Sequence, residues 1–403
     1  MQNLQPNLIL QRATDIEIVI NSNNIEISTR NSKINCEEFA LPILDTFSCP
    51  ISVSAALKKL ESRLTGVEDW VTLTSTITHL YNSGILVDET QQVNLALSSS
   101  KGFGGALLHT LMLNDRVRTS AYLTALREVV RPGDIVVDIG TGTGILAIGA
   151  IRAGAKHVYA IEATGIGKTA EALFEANGLA DQITLLSGWS NQITLPEKAD
   201  VLVSEIIGHE PLGENVLETT IDACERLLKK EARLIPRKLK IFGLPLTIPE
   251  IELSKRTFTK ERLESWETFY EINFNPLKKM LQDNSHNFFI KPQKASKWLN
   301  ISEPILLADI DFKTQKQAKI DNMVEGVAKV SGELNGLLIY FELELGSNTI
   351  LSTHPARVDK DNHWFSSVHI LSNVLNLQVG DKFKVHYRYR IVGVNDNIQV
   401  SRS

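Results

Sequence analysis

Residues 134–144 read DIVVDIGTGTG. Ile135, Val136, Val137 and Ile139 make an apolar run too short for a helix, and a run of this length closed by glycines predicts a buried strand. Gly140, Gly142 and Gly144 break it, and residues 145–153 return to helical composition. The stretch is a strand, a glycine turn and a helix start. Glycine allows a tight turn and a close approach of backbone to a ligand. Free amides at a helix start favour polar or anionic groups.

Working outward, a helical pattern covers residues 109–130, and HVYAIE (157–162), ITLLSG (183–188) and ADVLVSEII (199–207) alternate with helical stretches to about residue 235. That alternation predicts a parallel sheet with helices on both faces. Ligands of such sheets sit beyond the carboxyl ends of the strands, so the glycine turn, Glu162, residues 189–191 and Glu205 should line one crevice. Trp189 reads as core or pocket wall. Two nucleotide readings compete. The dinucleotide fingerprint G-x-G-x-x-G wants its third glycine where Ile145 stands. Asp138 precedes the first glycine by two residues, and Glu162 ends the next strand, where a carboxylate can take both hydroxyls of a ribose. D-x-G-x-G-x-G followed by helix, strand and Glu resembles motif I of the class I S-adenosylmethionine (SAM)-dependent methyltransferases. NAD stays as the competing reading of the glycines alone.

The chain has 403 residues, enough for two or three domains with their own cores. Hydrophobic content of 43% and charged content of 22% are those of a globular protein, and a net charge of −5 argues against broad nucleic-acid binding. Cys36, Cys49 and Cys224 have no metal-type spacing, so no metal is expected, and an odd number of thiols fits a reducing cytoplasm. No apolar run is long enough for a membrane span, and MQNLQPNLIL has no basic region of the signal-peptide kind.

Residues 1–90 read as a separate small α+β unit. IEIVI (16–20) and NIEIST (24–29) alternate as strands around the turn sequence NSNN, and helical stretches follow at 37–47, 53–64 and 69–81. In the second of these, Val53, Ala56, Leu57, Leu60 and Leu64 share one face. NSGILVDE adds a turn and a short strand. This order resembles winged-helix and PqqD-like domains. The resemblance implies a module that binds a peptide, such as a leader peptide of a natural-product precursor, by adding it as a strand to the hairpin edge. DNA reading has only Lys58, Lys59 and Arg63 to carry it.

Residues 91–236 form the nucleotide-binding domain, beginning with the polar, glycine-rich stretch QQVNLALSSSKGFGG (91–105). Beyond Ile235 and Pro236, residues 237–403 change character. KLKIFGLPL, VAKVSGEL, LLIYFELEL, HWFSSVHIL and DKFKVHYRYR predict an antiparallel barrel or sandwich, interrupted near 250–285 by the helical sequence KERLESWETFYEI. HYRYR alternates bases with aromatics, and its period of two fits a barrel strand with snorkelling arginines.

ADVLVSEIIGHEPLGEN holds the chemistry. Glu205 ends a strand, and Glu214 lies nine residues on, past a loop containing Gly208, His209, Glu210 and Pro211. Paired carboxylates can hold a cation, and a guanidinium meets carboxylates in bidentate fashion. SAM is a sulfonium, so a cationic acceptor beside it needs negative charge to offset repulsion and fix the in-line geometry. S-E-x-x-G-x-x-x-x-x-E resembles the double-E loop of the protein arginine methyltransferases. That resemblance implies that Glu205 and Glu214 clamp the substrate guanidinium. HTLMLNDRVRTSAY (109–122) is similar to the family's first helix, which implies that Arg118 binds the SAM carboxylate with Met112 beside the reactive centre. Asp138, Gly140, Gly142 and Glu162 match the cofactor motifs, and Ser190 and Asn191 match the segment that touches adenine. Asn362, His363 and Trp364 resemble the T-H-W loop, whose histidine approaches the acceptor. Phe103, His109, His209 and Trp364 are the implied pocket wall, and residues 250–275 are similar to a dimerisation arm. The resemblance covers roughly residues 100–390. Three departures stand out. The tyrosine-rich segment is SSSKGF, Ile206 and Ile207 follow Glu205 where the family has Trp and Met, and Glu210 is an added carboxylate.

The expectation is therefore a Rossmann-like SAM-dependent methyltransferase domain, an antiparallel β-barrel and a winged-helix-like N-terminal module. The enzyme would methylate a guanidinium nitrogen of a peptide, with Glu205, Glu214 and His363 as catalytic residues. Two alternatives remain open on the sequence: a carboxylate O-methyltransferase acting on a peptide C-terminus, and a peptide- or DNA-binding protein on a vestigial methyltransferase fold.

Overall fold

A computed structural model describes residues 6–13, 16–21, 24–28, 33–36, 39–64, 66–87, 106–282, 286–391 and 397–403. They fall into two units, one within residues 1–105 and one within 106–403.

In the first unit, Ile9–Arg12 is the central strand of a small antiparallel sheet between Ile51–Ser52 and Leu86–Val87. A second sheet is a meander of Glu17–Asn21, Asn24–Ser28 and Lys33–Cys36, with Glu17–Asn21 at an edge. The helices are Ala40–Thr46, Val53–Leu60 and Val67–Asn82. Ser52 caps the second, accepting the Ala55 amide at 3.3 Å. Its buried face is Val53, Ala56 and Leu60, with Leu57 and Leu64 packed beside it. The α-helix stops at Leu60 and a 3₁₀ turn, Glu61–Arg63, carries the chain on, so the predicted helix to residue 64 is overlong. Leu10, Ile43, Phe47, Leu73 and Leu80 are fully buried at the centre of this unit. The strands Ile9–Arg12 and Lys33–Cys36 escaped the sequence reading because four residues show no clear alternation.

In the second unit the single helix predicted over 109–130 is two: α1 (Ala106–Asn114) and α2 (Arg116–Val129). Asp115 leaves helical geometry between them, and its side chain accepts the Arg118 amide at 3.1 Å as the cap of α2. Five parallel strands follow: β1 (Ile135–Ile139), β2 (His157–Glu162), β3 (Ile183–Ser187), β4 (Ala199–Ser204) and β5 (Leu228–Ile235). Their order is β5-β4-β1-β2-β3. Every residue of β1 is buried, as its continuous apolar run requires. The helices α3 (Ile145–Arg152), α4 (Gly167–Ala176) and α5 (Val216–Arg226) connect the strands. β5 was hidden in the sequence by Lys229, Lys230 and Glu231, which sit exposed on an edge strand.

The antiparallel part is built on Lys238–Thr247, which pairs with both Gly332–Glu344 and Ile305–Asp311. Ser366–Leu377 pairs with Gly332–Glu344 on one side and with Asn287–Ile290 on the other. Ile320–Val327, Lys382–Tyr389 and Ile398–Arg402 form a further three-stranded sheet. VAKVSGEL is not one strand: residues 328–331 connect the strand ending at Val327 to the strand starting at Gly332. HWFSSVHIL becomes a strand only from Ser366, which leaves His363, Trp364 and Phe365 in a loop. In HYRYR, Tyr387 is buried while His386 and Arg388 face outward, and Arg388 donates to Gln399 at 2.7 Å. The segment after Thr247 is helical as expected, with Glu250–Leu253, Lys260–Tyr270 and a 3₁₀ stretch Asn275–Gln282. One hydrophobic core runs from the parallel sheet into the barrel, so the crevice above the sheet has walls from both. No helix among the described residues is long and apolar enough to cross a membrane.

Gly144 shows why the turn needs glycine. Its φ is 83°, and a Cβ there would lie 2.3 Å from the buried Phe174 ring. Gly144→Ala combines left-handed strain with overpacking and is expected to destabilise the protein by about 3 kcal/mol. Urea unfolding of the two proteins measures the difference.

Candidate active site

The glycine turn is held by β2. The amides of Gly140 and Thr141 donate to the Ile161 carbonyl, both at 3.0 Å. Glu162, the last residue of β2, accepts the Gly142 amide at 2.9 Å on one oxygen. Its other oxygen accepts the amide and hydroxyl of Thr164 at 2.8 and 2.7 Å. Thr164, which the sequence reading passed over, thereby sets the carboxylate, and the oxygen at Gly142 keeps a lone pair for a ligand hydroxyl. Asp138 is fully buried, and one oxygen accepts the Thr141 hydroxyl at 2.6 Å. Burial pushes its carboxyl up to about 7, against the lowering effect of that hydroxyl.

A second wall comes from α1 and α2. Arg118 is 7% exposed. One terminal nitrogen donates to the Met112 carbonyl at 2.8 Å and the other pairs with Glu205. Both terminal nitrogens are thus engaged by the protein, and Nε is buried without a hydrogen-bond partner. Asp115 has a second task besides capping. Its Oδ2 accepts the backbone amide of His363 at 3.0 Å and meets His363 Nδ1 at 2.9 Å. Burial acts to raise the Asp115 carboxyl, but the hydrogen bonds from His363 and the Arg118 amide outweigh it and hold it below the usual range. Asp-Arg-Val-Arg in mid-helix was the available signal for Asp115, since a capping residue there breaks a helix.

The third wall is the segment 205–214 after β4. The structure brings Glu205 and Glu214 together. The Gly213 amide donates to the Glu210 carbonyl at 2.9 Å and closes the turn. Glu214 lies so near Gly208 that a Cβ there would sit 2.7 Å from its Oε1. Burial, and then the charge of Glu205, push the Glu214 carboxyl up to about 7. The barrel fixes this segment at three points. Trp364 Nε1 donates to the Ile207 carbonyl at 2.7 Å. The Phe365 amide donates to His209 Nδ1 at 3.2 Å, and the His209 ring packs between Phe289 and Phe365. Glu210 accepts from His369 Nε2 at 2.9 Å, from Asn287 Nδ2 at 3.2 Å and from the Ser367 hydroxyl.

Several candidates take different places from those expected. Trp364 is 2% exposed, so it supports the loop from below and does not line an open pocket. His109 packs against the glycine turn, 3.2 Å from where a Gly142 Cβ would be, which puts it on the nucleotide side. Ser190 and Asn191 form a 3₁₀ turn after β3, where Arg226 holds the Ser190 carbonyl at 2.7 Å. Trp189 is 58% exposed, so it is not core. Phe103 lies outside the described residues. Glu210, read as an extra pocket carboxylate, is spent on the barrel.

Residues 116–236 match the family described as Ribosomal protein L11 methyltransferase (PrmA), and residues 247–396 match the Arginine methyltransferase oligomerization subdomain. Protein arginine N-methyltransferase PRMT10 of rice (Oryza sativa subsp. japonica) is 30% identical over 306 residues, spanning 68% of this chain and 78% of the relative. The chain belongs to the protein arginine N-methyltransferase family. Arginine methyltransferase 10 of Arabidopsis thaliana, solved in a uniquely open conformation, superposes with a TM-score of 0.59 at 25% identity, over 71% of this chain and 88% of that one. The Trypanosoma brucei PRMT1 enzyme–prozyme heterotetramer with AdoHcy gives a TM-score of 0.64 at 24% identity, over 76% of this chain and 95% of that one, and shares the fold. The protein is a methyltransferase and SAM is its methyl donor. Its crevice fits that group. Asp138 Oδ1 and Arg118 Nε are buried without hydrogen-bond partners, and buried polar atoms are normally satisfied. An unsatisfied acceptor beside the glycine turn and an unsatisfied donor on α2 suit a ligand carrying both an ammonium and a carboxylate, as SAM does.

Proposed function

We propose that this arginine methyltransferase acts on a guanidinium nitrogen of an arginine side chain in a protein or peptide. The observation that carries the reading is the charge balance between Glu205 and Glu214. Arg118 neutralises one of the two carboxylates, and the other is forced toward its neutral form by burial and by its neighbour. A guanidinium entering there supplies the missing cation, restores Glu214 to its charged form and gains two-point recognition. A carboxylate acceptor would instead bring an anion to a site where burial and Glu205 already disfavour negative charge on Glu214, which disfavours O-methylation.

In this reading SAM supplies an electrophilic methyl when bound. Arg118 Nε, Asp138 and the glycine turn hold its amino-acid end, Glu162 takes the ribose, and Ser190 and Asn191 border the adenine. Glu205 and Glu214 align the acceptor nitrogen, and His363, fixed by Asp115, is placed to accept the proton released. The N-terminal unit serves as a PqqD-like or winged-helix peptide reader. Its support is the edge strand Glu17–Asn21, where Ile18, Val19 and Ile20 are exposed. The arm after Thr247 serves a homodimer; Ile251 is 67% exposed and Phe269 78% exposed.

Labelled SAM with paired peptides, one carrying arginine and the other lysine at the same site, tests the reading. Label is expected on the arginine peptide only, as an acid- and base-stable N-methyl group in mass spectrometry. A base-labile ester on the C-terminus of either peptide would overturn it.

A further inference from the structure

The helix α5 ends on Arg226, whose side chain leaves the helix for the loop after β3. Its Nε and Nη2 donate to the two carboxylate oxygens of Asp222, both at 2.6 Å, a bidentate pair one helical turn apart. Nη2 also donates to the Ser190 carbonyl at 2.7 Å, and Nη1 donates to the Ile193 carbonyl at 2.8 Å. We propose that Arg226 is a positioning residue for the methyl donor, holding the 3₁₀ turn Ser190–Gln192 in the shape that receives the adenine, on the reading above that Ser190 and Asn191 border that ring.

The turn stands where the nucleoside of a bound SAM would end. It follows the carboxyl end of β3, the side of a parallel sheet on which ligands bind. The Gly188 amide donates to the Glu162 carbonyl at 2.9 Å, so the turn begins beside the carboxylate assigned to the ribose. Its outer side lacks a neighbour of its own kind: β3 is the edge strand of the sheet, and no further strand lies beyond it among the described residues.

So short a turn has little internal support. The Gln192 amide donates to the Trp189 carbonyl at 2.9 Å and the Ile193 amide to the Ser190 carbonyl at 3.2 Å. Hydrogen bonds of 3₁₀ geometry are poorer than those of an α-helix. The Ile193 side chain packs on the core, while Trp189 at the other end is exposed and anchors nothing there. Arg226 supplies the second anchor. It bonds the first carbonyl of the turn and the carbonyl just past its end, and Asp222 fixes the plane of the guanidinium so that both bonds form at once. Four of the five guanidinium N–H groups are used. A lysine ammonium has no such plane and three donors at one point.

The Arg226 and Asp222 side chains are 35% and 28% exposed. A pair so open to water adds little to stability. Removing it should therefore leave the fold standing and release the turn, which separates a positioning role from a structural one.

The test uses the full chain and reads cofactor binding, so it stands apart from the identity of the acceptor. In calorimetric titrations Arg226→Gln is expected to bind SAM about 10-fold more weakly, the effect of losing two hydrogen bonds of ordinary strength. Arg226→Lys should not restore the affinity. Asp222→Asn should weaken binding by less, and should add nothing in the Arg226→Gln background, because Asp222 acts through Arg226. Methylthioadenosine, which carries the nucleoside without the amino-acid end, should lose the same factor as SAM. Steady-state rates with an arginine peptide should place the loss in KM for SAM and keep kcat within about 2-fold. Unchanged SAM affinity in Arg226→Gln, a loss that methylthioadenosine does not share, or a large fall in melting temperature would each overturn the proposal. Asn191→Ala, titrated in parallel, tells that failure from a failure of the adenine placement. If it weakens binding and Arg226→Gln does not, the assignment of Arg226 alone falls; if neither does, the adenine placement falls with it. An unmethylated arginine peptide would count against the acceptor reading, and the titrations would still decide the role of Arg226.

Discussion

Glu214→Gln is expected to lower kcat/KM for an arginine acceptor by 10²–10³-fold and, at the same time, to make the protein more stable at alkaline pH. Loss of one preorganised electrostatic partner of a transition state typically has a kinetic effect of about that size. The stability effect follows from proton linkage. The Glu214 carboxyl is pushed from 4.5 up to about 7 by burial and by the Glu205 charge. Between those two pH values the folded protein holds a proton that the unfolded chain has released. Its contribution to stability is complete below pH 4.5 and is lost as pH rises through 7. Glutamine never ionises, so the variant escapes this loss. The difference between the two proteins should be near zero at pH 4.5 and grow toward a ceiling of about 3 kcal/mol above pH 7. Glu214 is half-buried, so solvent screening reduces the expected gain to about 1–2 kcal/mol. Thermal unfolding at pH 5 and pH 8, compared with initial rates of methyl transfer, gives both numbers. A variant that lost activity and stability together would show that Glu214 is there to support the loop. One that kept its activity would remove it from the acceptor site. A gain in stability with a loss of activity is what a site built to receive a cation should show when no cation is present.

How much of this was legible in the sequence differs from part to part. The nucleotide half was legible because its elements are long, apolar and punctuated by glycine: all five residues of β1 are buried, and the turn follows where the spacing puts it. Pairing of Glu205 and Glu214 was legible as a spacing of nine positions, because a loop with Gly208 and Pro211 can return on itself. The supports were not. Asp115 looked like one polar residue on a helix, yet it divides that helix and fixes His363 from 248 positions away. Glu210 looked like a third carboxylate for the pocket, yet its partners His369, Ser367 and Asn287 are all more than 70 positions downstream, at separations of 159, 157 and 77. Trp364 beside His363 suggested a pocket wall, and burial makes it a strut instead. Local pattern reports strands, turns and caps; it is silent on which distant side chain will satisfy a buried polar group. The short strands failed for a different reason. Ile9–Arg12 has four residues and alternation cannot be read in so few.

These supports explain why the barrel belongs in the catalytic argument. The loop carrying Glu214 has bonds to Trp364, Phe365 and His369 at Ile207, His209 and Glu210. Burial lowers the affinity of His209 for a proton, as does the nearby His363, so His209 is held as a neutral acceptor for the Phe365 amide. The spacing between the two glutamates is therefore set by the join between sheet and barrel, and not by the loop alone. Rigid placement of this kind is what positioning catalysis requires.

The Arg118–Glu205 pair makes the sharpest division between holding the fold and doing the chemistry. Their side chains are 8% and 9% exposed, so removing either partner leaves a buried charge uncompensated. Such losses amount to about 3–5 kcal/mol. Glu205→Gln alone should therefore destabilise the protein by about that much, weaken SAM binding because Arg118 is freed to reorient, and reduce turnover by at least 10³-fold. Arg118→Met alone should be as destabilising for the converse reason: two carboxylates would share a site with no cation. The double variant, Arg118→Met/Glu205→Gln, has no buried charge left in the pair. It is expected to recover most of the lost stability, so the coupling in the double-mutant cycle exceeds the loss from either single change. Turnover should not recover. If the pair were only a structural tie, relief of the buried charge would bring activity back along with stability. If Glu205 orients the acceptor and Arg118 the methyl donor, the double variant should be a stable, folded and inactive protein. Urea unfolding, calorimetric titration with SAM and methyl-transfer rates on the four proteins of the cycle separate these outcomes, because the first follows the ion pair, the second follows Arg118 and the third needs both.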